Sequence, residues 1–555
     1  MRSTVILFLL STFFLFGFYS YQTTQDPPAL SVSDIADNIT PELLFSHLSI
    51  LASDSLQGRG TGQVGIDMAA DYLARSYEMA GLTAIGNDGT WFQHFDLMGT
   101  RMDSFSYALF DTAEVSPAAV WSQVVHQGDE SEFLVMFGGT NPASGDIIFI
   151  GMGLAGEEGF VDELGNVIDV RGQFVMMFRE MPADIEADEQ LETRLNGRLQ
   201  QLLFRSGAAG IMLIDEMDQE FFIEDSVGMN SLIGVPSSIR LPDGGGRGGL
   251  AATVVSVSPQ MVKRILGGVD SLNEIHTESG NELAGFNSFH TGYSFSFTPD
   301  GGERTLPSKN VVAFLEGCHE ELKDEVVVIS SHYDHMGIGQ PDASGDMIYN
   351  GADDNGSGTV ATLSIAEVMA QAKRDGFCLD RSVLFINVTA EEHGLLGSRY
   401  YSDNPIFPIE NTVANFNLDM VGRTDYNYAD SDEEYIYIIG AEIISSGLDS
   451  LLHVANANSV NLTLDMRYND LDDRNQFYRR SDHWNFGRLG IPFIFFFSGV
   501  HEDYHQPSDT YDKIPFELYA KRVQLMLHTL VEVANSTERP EVDNRLFIER
   551  TQLGR

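Results

Sequence analysis

Residues 382–392 read SVLFINVTAEE: a run of apolar and β-branched residues that ends in two adjacent glutamates, Glu391 and Glu392. The run is too short and too β-branched for a buried helix and reads as a strand covered on both faces. The ending is harder to explain. Acidic residues suit the first turn of a following helix, but two adjacent carboxylates repel each other where a buried strand surfaces. Neighbouring segments give that placement a reason.

Several other segments repeat the pattern. EVVVISSHYDH (325–335) delivers His332 and Asp334 just past its strand, and VANFNLDM (413–420) delivers Asp419. IPFIFFFSGVHEDYH (491–505) runs from its strand to Tyr504 and His505, and NGADDNGSGTVATL (350–363) sets Asp354 at a glycine-rich helix start. With NVVAFLEG (310–317) and the helix GTVATLSIAEVMAQAKRDG (358–376), strands alternate with helices from about 308 to 535. This predicts an α/β fold with a mainly parallel, doubly covered sheet. Open sheets of that kind bind ligands at the carboxyl ends of their strands. A single His or Asp there is ordinarily a satisfied core residue or a helix cap. Five chain segments aiming ligand-type groups at one edge are not explained that way.

The rest of the chain divides by texture. Residues 34–118 read as helix-rich, with TPELLFSHLSILASDSL (40–56) behind a Thr-Pro start and GIDMAADYLARSYEMAGL (65–82) ending at a glycine. From 120 to 284 short strands and glycine-rich turns take over. GDIIFIGMGL (145–154), GQFVMMFRE (172–180) and AATVVSVSP (251–259) read as strands, RLQQLLFRSGAAGIMLIDE (198–216) as a helix running into a strand, and LPDGGGRGGLAA (241–252) as a loop. A β-rich module between helical and α/β material has the form of an insertion, followed by the main α/β part at 285–538 and a tail at 539–555. At the start, Arg2 precedes the apolar run VILFLLSTFFLFGFY (5–19). That run is short for a membrane span and the right length for a signal-peptide core, so 1–27 reads as a signal peptide or uncleaved anchor and the folded part as exported.

With 43% hydrophobic and 10% aromatic residues among 555, the chain can bury sizeable cores. Its 33 Lys and Arg against 81 Asp and Glu give a net charge of −48, which argues against a nucleic-acid partner. Only Cys318 and Cys378 are present, too few for a cysteine zinc site. Two His and three carboxylates suit zinc or a similar divalent ion. Two such ions about 4 Å apart need a bridging carboxylate. One glutamate of the doublet can then ligate while the other accepts a proton, and the cations offset the repulsion between them.

The motifs SHYDHMG, GADDNGSG, TAEEHGLLGS, NLDMVG, SDHWNF and DYHQPSDT, in this order and spacing, resemble the two-zinc exopeptidases of the aminopeptidase Y and bacterial leucyl aminopeptidase type. That family also holds glutamate carboxypeptidase, the single-zinc glutaminyl cyclases and the catalytically dead transferrin receptor. The stretch LASDSLQGRGTGQVGIDMAADYL (51–73) resembles the family's N-terminal helical segment, and the β-rich piece resembles a protease-associated (PA) domain. The resemblance implies two Zn²⁺ per chain, one on His332 and Asp419 and one on Glu392 and His505. Asp354 would bridge them, with Asp353 as its neighbour. It implies Asp334 as acceptor of a hydrogen bond from His332, Glu391 as general base toward a metal-bridging water, and Tyr504 as a donor to the oxyanion. The implied substrates are peptides with a free N-terminus. Three alternatives share the scaffold: a silent binding protein, a cyclase, and a carboxypeptidase. The last would need arginines for a substrate carboxylate, with Arg479 and Arg480 as candidates.

Cys318 and Cys378 each lie just before a strand, those ending at His332 and Glu392. If these strands run parallel and adjacent, both thiols fall at the edge opposite the metals. A disulfide there needs Cα atoms within about 7 Å; otherwise both are core residues.

Overall fold

The computed structural model describes residues 30–113, 118–137, 139–151, 169–179, 206–215, 217–244, 253–267 and 288–551. The apolar run at 5–19, the helical part of 198–216 and most of the loop 241–252 lie outside them. Six helices matter below: α1 (Pro41–Leu51), α2 (Val64–Ala80), α3 (Gln219–Asn230), α4 (Gly358–Arg374), α5 (Phe516–Ala534) and α6 (Arg545–Thr551). The strands that matter below are β1 (Phe92–Asp111), β2 (Phe133–Phe137), β3 (Ala143–Phe149), β4 (Phe174–Phe178), β5 (Gly210–Ile214), β6 (Thr253–Val257), β7 (Phe289–Leu315), β8 (Val326–His332), β9 (Gly337–Ile338), β10 (Ile348–Tyr349), β11 (Ser382–Val388), β12 (Thr412–Leu418), β13 (Tyr435–Gly440), β14 (Thr463–Asp465) and β15 (Phe493–Phe497).

One continuous sheet contains all of these but β9 and β10, in the order β14-β13-β15-β12-β8-β11-β7-β3-β4-β5-β6-β2, with β1 paired to β7. β15, β12, β8 and β11 are mutually parallel, so their carboxyl ends share one edge. Every residue of β8, β11 and β12 is buried. Alternate residues explain why: Val327, Ile329, Val383 and Phe385 pack into the cluster with the helices, while Val328, Leu384 and Ile386 pack with Tyr401 and Phe486 on the other face. The sheet is therefore covered on both sides, as the unbroken apolar runs predict. α1 starts as predicted, with Pro41 in its first turn and the Thr40 hydroxyl accepting from Leu43 N–H. α2 stops at Gly81, whose φ of 80° is left-handed.

Three expectations need correction. Residues 34–118 are not helix-rich throughout: 92–111 form the 20-residue strand β1, which pairs antiparallel with the 27-residue β7. Its residues alternate between buried and exposed, but its partner lies some two hundred residues away. Second, the parallel block is flanked by antiparallel strands, since the NVVAFLEG segment ends β7 and runs antiparallel to β11, as β13 does to β15. Third, the expected tail at 539–555 includes α6, whose Phe547 is fully buried with Ile444, Leu471 and Phe493.

The β-rich module has its own core, in which Phe133, Phe174, Met212 and Val255 meet Tyr107, Leu109, Phe295 and Phe297 from β1 and β7. The expected limits of 120 and 284 thus fall outside the ribbon that the module uses. The change of allegiance lies near the register shift between Met102 and Ser104, where Gly301 opposes Met102 with φ 148°. A Cβ on Gly301 would stand 2.3 Å from the Arg101 carbonyl, so only glycine fits that bulge.

At the amino edge, Cys318 and Cys378 form a disulfide with Cα atoms 6.0 Å apart. The adjacent, parallel β8 and β11 bring them together.

Candidate metal centre

The carboxyl edge of the four parallel strands gathers the groups read from the sequence. β8 ends at His332, β12 at Leu418 just before Asp419, and β11 three residues before Glu391. The loop after β15 brings in Tyr504 and His505, and the turn preceding α4 supplies Asp354. All of His332, Asp354, Glu391, Glu392, Asp419, Tyr504 and His505 line one cavity.

Asp354 stands between two half-sites. Its Oδ1 lies 3.4 Å from His332 Nε2, which is also 3.4 Å from Asp419 Oδ1. Its Oδ2 lies 3.0 Å from His505 Nε2, which is 3.2 Å from Glu392 Oε2. Two groups of three residues have ligand atoms within 4.8 Å of one another: His332, Asp354 and Asp419, and His335, Asp354 and Glu392. Glu391 belongs to neither, although its Oε2 is 3.9 Å from His332 Nε2. Asp419 Oδ1 is buried without a hydrogen-bond donor of acceptable geometry, while Oδ2 accepts from the Ser481 hydroxyl at 2.6 Å. An orphaned carboxylate oxygen facing an imidazole nitrogen, in an all-nitrogen-and-oxygen donor set, suits zinc or a similar divalent cation.

The local electrostatics follow from burial and crowding. Burial pushes the Glu391 carboxyl well above its usual range against the opposing pull of His332, and Glu392, Asp482 and Asp419 push it the same way. Glu392 goes the other way, to about 2. Burial and Asp354 act to raise it, but hydrogen bonds to His335 and His505 outweigh them. Burial would lower His505, yet its bonds to Asp354 and Glu392 lift it to about 10. Adjacent glutamates are thus driven apart, one toward the neutral form and one firmly ionised. Burial first, helped by Asp419 and Asp334 and opposed by His332 and Ser398, carries Asp482 to about 7, and burial with Asp353 carries Asp509 to about 6.

Asp334 departs from its expected role. The nearest acceptor for His332 Nδ1 is the Asp334 main-chain carbonyl at 3.1 Å, and the carboxylate is 3.7 Å away. That carboxylate instead accepts from the N–H groups of Glu391 and Glu392, at 3.2 and 3.4 Å, and from the Thr61 hydroxyl. It sets the doublet's backbone as much as the imidazole. Tyr504 stacks on His505 with ring centres 3.9 Å apart. Of the two arginines, Arg480 lines the cavity over the Phe477 ring, whereas Arg479 turns to Gln476.

Several contributors were not singled out from sequence. His335 is fully buried with Nδ1 2.8 Å from Glu392 Oε1. It sits in the SHYDHMG motif, where its letter looks no different from a packed histidine. Asp509 accepts from the N–H groups of both Asp353 and Asp354, and Asp353 in turn accepts from Gly422 N–H at 2.7 Å. Arg59 donates to the carbonyls of Tyr333, Leu51, Asn350 and Gly351. It ties α1, the end of β8 and the Asp354 turn together.

Residues 310–530 match the model of peptidase family M28. Aminopeptidase YwaD of Bacillus subtilis (strain 168) is 27% identical over 251 residues, which are 42% of this chain and 46% of that protein. Aminopeptidase Y of Saccharomyces cerevisiae is 24% identical over 275 residues, 47% of this chain and 45% of its own length. The matches thus span about half the length of these relatives. The solved aminopeptidase from Aneurinibacillus sp. strain AM-1 has a TM-score of 0.50 at 17% identity over 92% of this chain and 97% of its own, a likeness of fold. Every candidate ligand falls inside the segment, residues 310–530, over which the chain is similar to peptidase family M28.

Proposed function

We propose that the protein is an exported, two-zinc aminopeptidase whose inserted module is a protease-associated domain. The observation that carries the reading is Asp354, which belongs to both ligand groups while Glu391 belongs to neither. A shared carboxylate is what two neighbouring cations require, and a carboxylate outside the ligand set is what proton transfer requires. The relatives named aminopeptidases support the reaction class. A relative named probable zinc metalloprotease, 31% identical over 134 residues, supports the metal.

His332, Asp419 and Asp354 would hold one ion, and Glu392, His505 and Asp354 the other. His335 would orient Glu392 through its 2.8 Å contact. When bound, the ions supply Lewis acidity to the scissile carbonyl and to water. The side chains do the rest. Glu391 takes the proton of the attacking water and returns it to the leaving amine, a task suited by a carboxyl held above its ordinary range. The surrounding carboxylates receive the substrate's cationic N-terminus, and Tyr504, on the cavity wall beside His505, supplies a donor to the developing oxyanion.

Arg480 in the cavity favours a second reading, a carboxypeptidase. One assay tests both: leucinamide and free-amine peptides should be cleaved from the N-terminus, and acetylated peptides should resist. Cleavage of an acetylated peptide at its C-terminal bond would favour the second reading.

A further inference from the structure

A cavity of about 630 Å³ opens between the inserted module and the tip of the β9–β10 hairpin, within the usual size range of ligand pockets. One wall is α3 with Glu224, Asp225 and Met229; the other is the hairpin tip with Pro341, Asp342 and Met347. The walls touch at their edges. A Cβ on Gly228 would lie 3.6 Å from Pro341 Cγ, and the Ser231 hydroxyl is 3.8 Å from Met347 Sδ.

Two features define what would fit. Met136, Met217, Met229 and Met347 all line the cavity half-buried, and such flexible thioethers make an apolar surface that adapts to varied side chains. Around them stand Glu224 and Asp225, both exposed, and Asp342, while Arg179 lies against Asp215. The cavity thus mixes thioethers with polar groups such as Ser256 and Asp215 and is acidic at its rim, on a chain of net charge −48. Its complement is a segment that mixes apolar and basic side chains.

Its place in the chain suggests where that segment comes from. The hairpin is rooted in the metal centre: His335 stands two residues before β9, and Asp354 five residues after β10. From His335 to Asp342 is seven residues, at most about 25 Å of extended chain. An extended peptide with its N-terminus at the metals would therefore span that reach by about its eighth residue or earlier.

We propose that this cavity holds the downstream part of a peptide substrate, and that it selects basic and apolar residues there. The proposal rests on the aminopeptidase reading for the position of the substrate's other end.

The test uses the full zinc-loaded protein and two ten-residue peptides that share Leu-Gly-Gly at the N-terminus. One carries Lys and Leu at positions seven to ten, the other Glu and Leu. The basic peptide should have a kcat/KM about tenfold higher at low salt, through KM, with the difference fading as salt rises. The double variant Glu224→Gln/Asp225→Asn should abolish the difference and leave leucinamide hydrolysis unchanged. Both residues are solvent-exposed on α3, and Asp342 is left intact because its carboxylate closes the hairpin tip with Ser344 and Asp346. Equal kcat/KM for the two peptides would overturn the proposal, as would a preference that survives in the double variant. Fluorescence anisotropy with the N-acetylated basic peptide reads the cavity without turnover. Tight binding by the wild type, weakened in the variant, supports the proposal even if leucinamide is not hydrolysed, an outcome that would count against the aminopeptidase reading alone. Binding equal in both proteins, or none, overturns it.

Discussion

The two edges of the parallel block are built from the same strands to opposite ends. At the carboxyl edge, β8 opens into the buried His332 and β11 into the half-buried Glu391 and Glu392, with Glu391 Oε2 3.9 Å from His332 Nε2. At the amino edge the same strands are closed by the Cys318–Cys378 disulfide and by Arg381, whose guanidinium meets Glu325 at 2.6 Å. One edge keeps charges that repel or lack partners; the other leaves its charge paired and its chain cross-linked. Buried unpartnered charge costs folding free energy unless something binds it. The carboxyl edge is thus shaped for cations, and the amino edge holds the strands that present them.

Substitutions at the two edges should therefore separate activity from stability. Glu391→Gln should lower kcat by about 10²- to 10⁴-fold with metal content and melting temperature unchanged. A fall in metal content would place Glu391 among the ligands and break the division of roles. At the opposite edge, Cys318→Ser/Cys378→Ser should cost roughly 4 kcal/mol on the chain-entropy view of a cross-link 60 residues apart. Its turnover at low temperature should match that of the wild type. A change in kcat there would mean that the amino edge also shapes the site.

Arg59 braces the carboxyl edge from behind, at the end of β8 and the Asp354 turn, and joins both effects. Its replacement by Met would strip four buried carbonyls of their donor, at about 1–3 kcal/mol for the first to be left unsatisfied. Denaturant unfolding should register the loss, and the Asp354 turn should loosen with weaker metal retention.

The smallest expected effect is on pH. In the metal-free protein Asp482, at about 7, and Asp509, at about 6, are raised above their ordinary 3.8 by burial first. Groups raised in the folded state stabilise it fully below the unfolded value and lose that contribution as pH climbs through the folded one. The metal-free protein should therefore melt at a lower temperature at pH 8 than at pH 5, and Asp482→Asn should flatten that slope. An unchanged slope in the variant would remove Asp482 as its source.

Much of this edge was legible because parallel strands are buried on both faces, which makes a polar residue at the end of an apolar run conspicuous. His332, Glu392 and Asp419 stood out for that reason. His335, Ser481 and Asp509 did not, since a histidine inside a polar motif or an aspartate before a threonine carries no mark of where its side chain points. Arg59 acts through backbone carbonyls, which leave no signature in sequence. β1 escaped notice because its pairing with β7 is a long-range contact, and the limits of the β-rich module moved with it.

The central claim is that Asp354 serves two cations at once, and metal stoichiometry tests it most directly. Elemental analysis of the purified wild type and of Glu391→Gln should find two zinc ions per chain. Asp354→Asn should hold fewer than one and lose activity with them. A wild type fully active with one zinc per chain, or an Asp354→Asn variant that keeps two, would contradict the account.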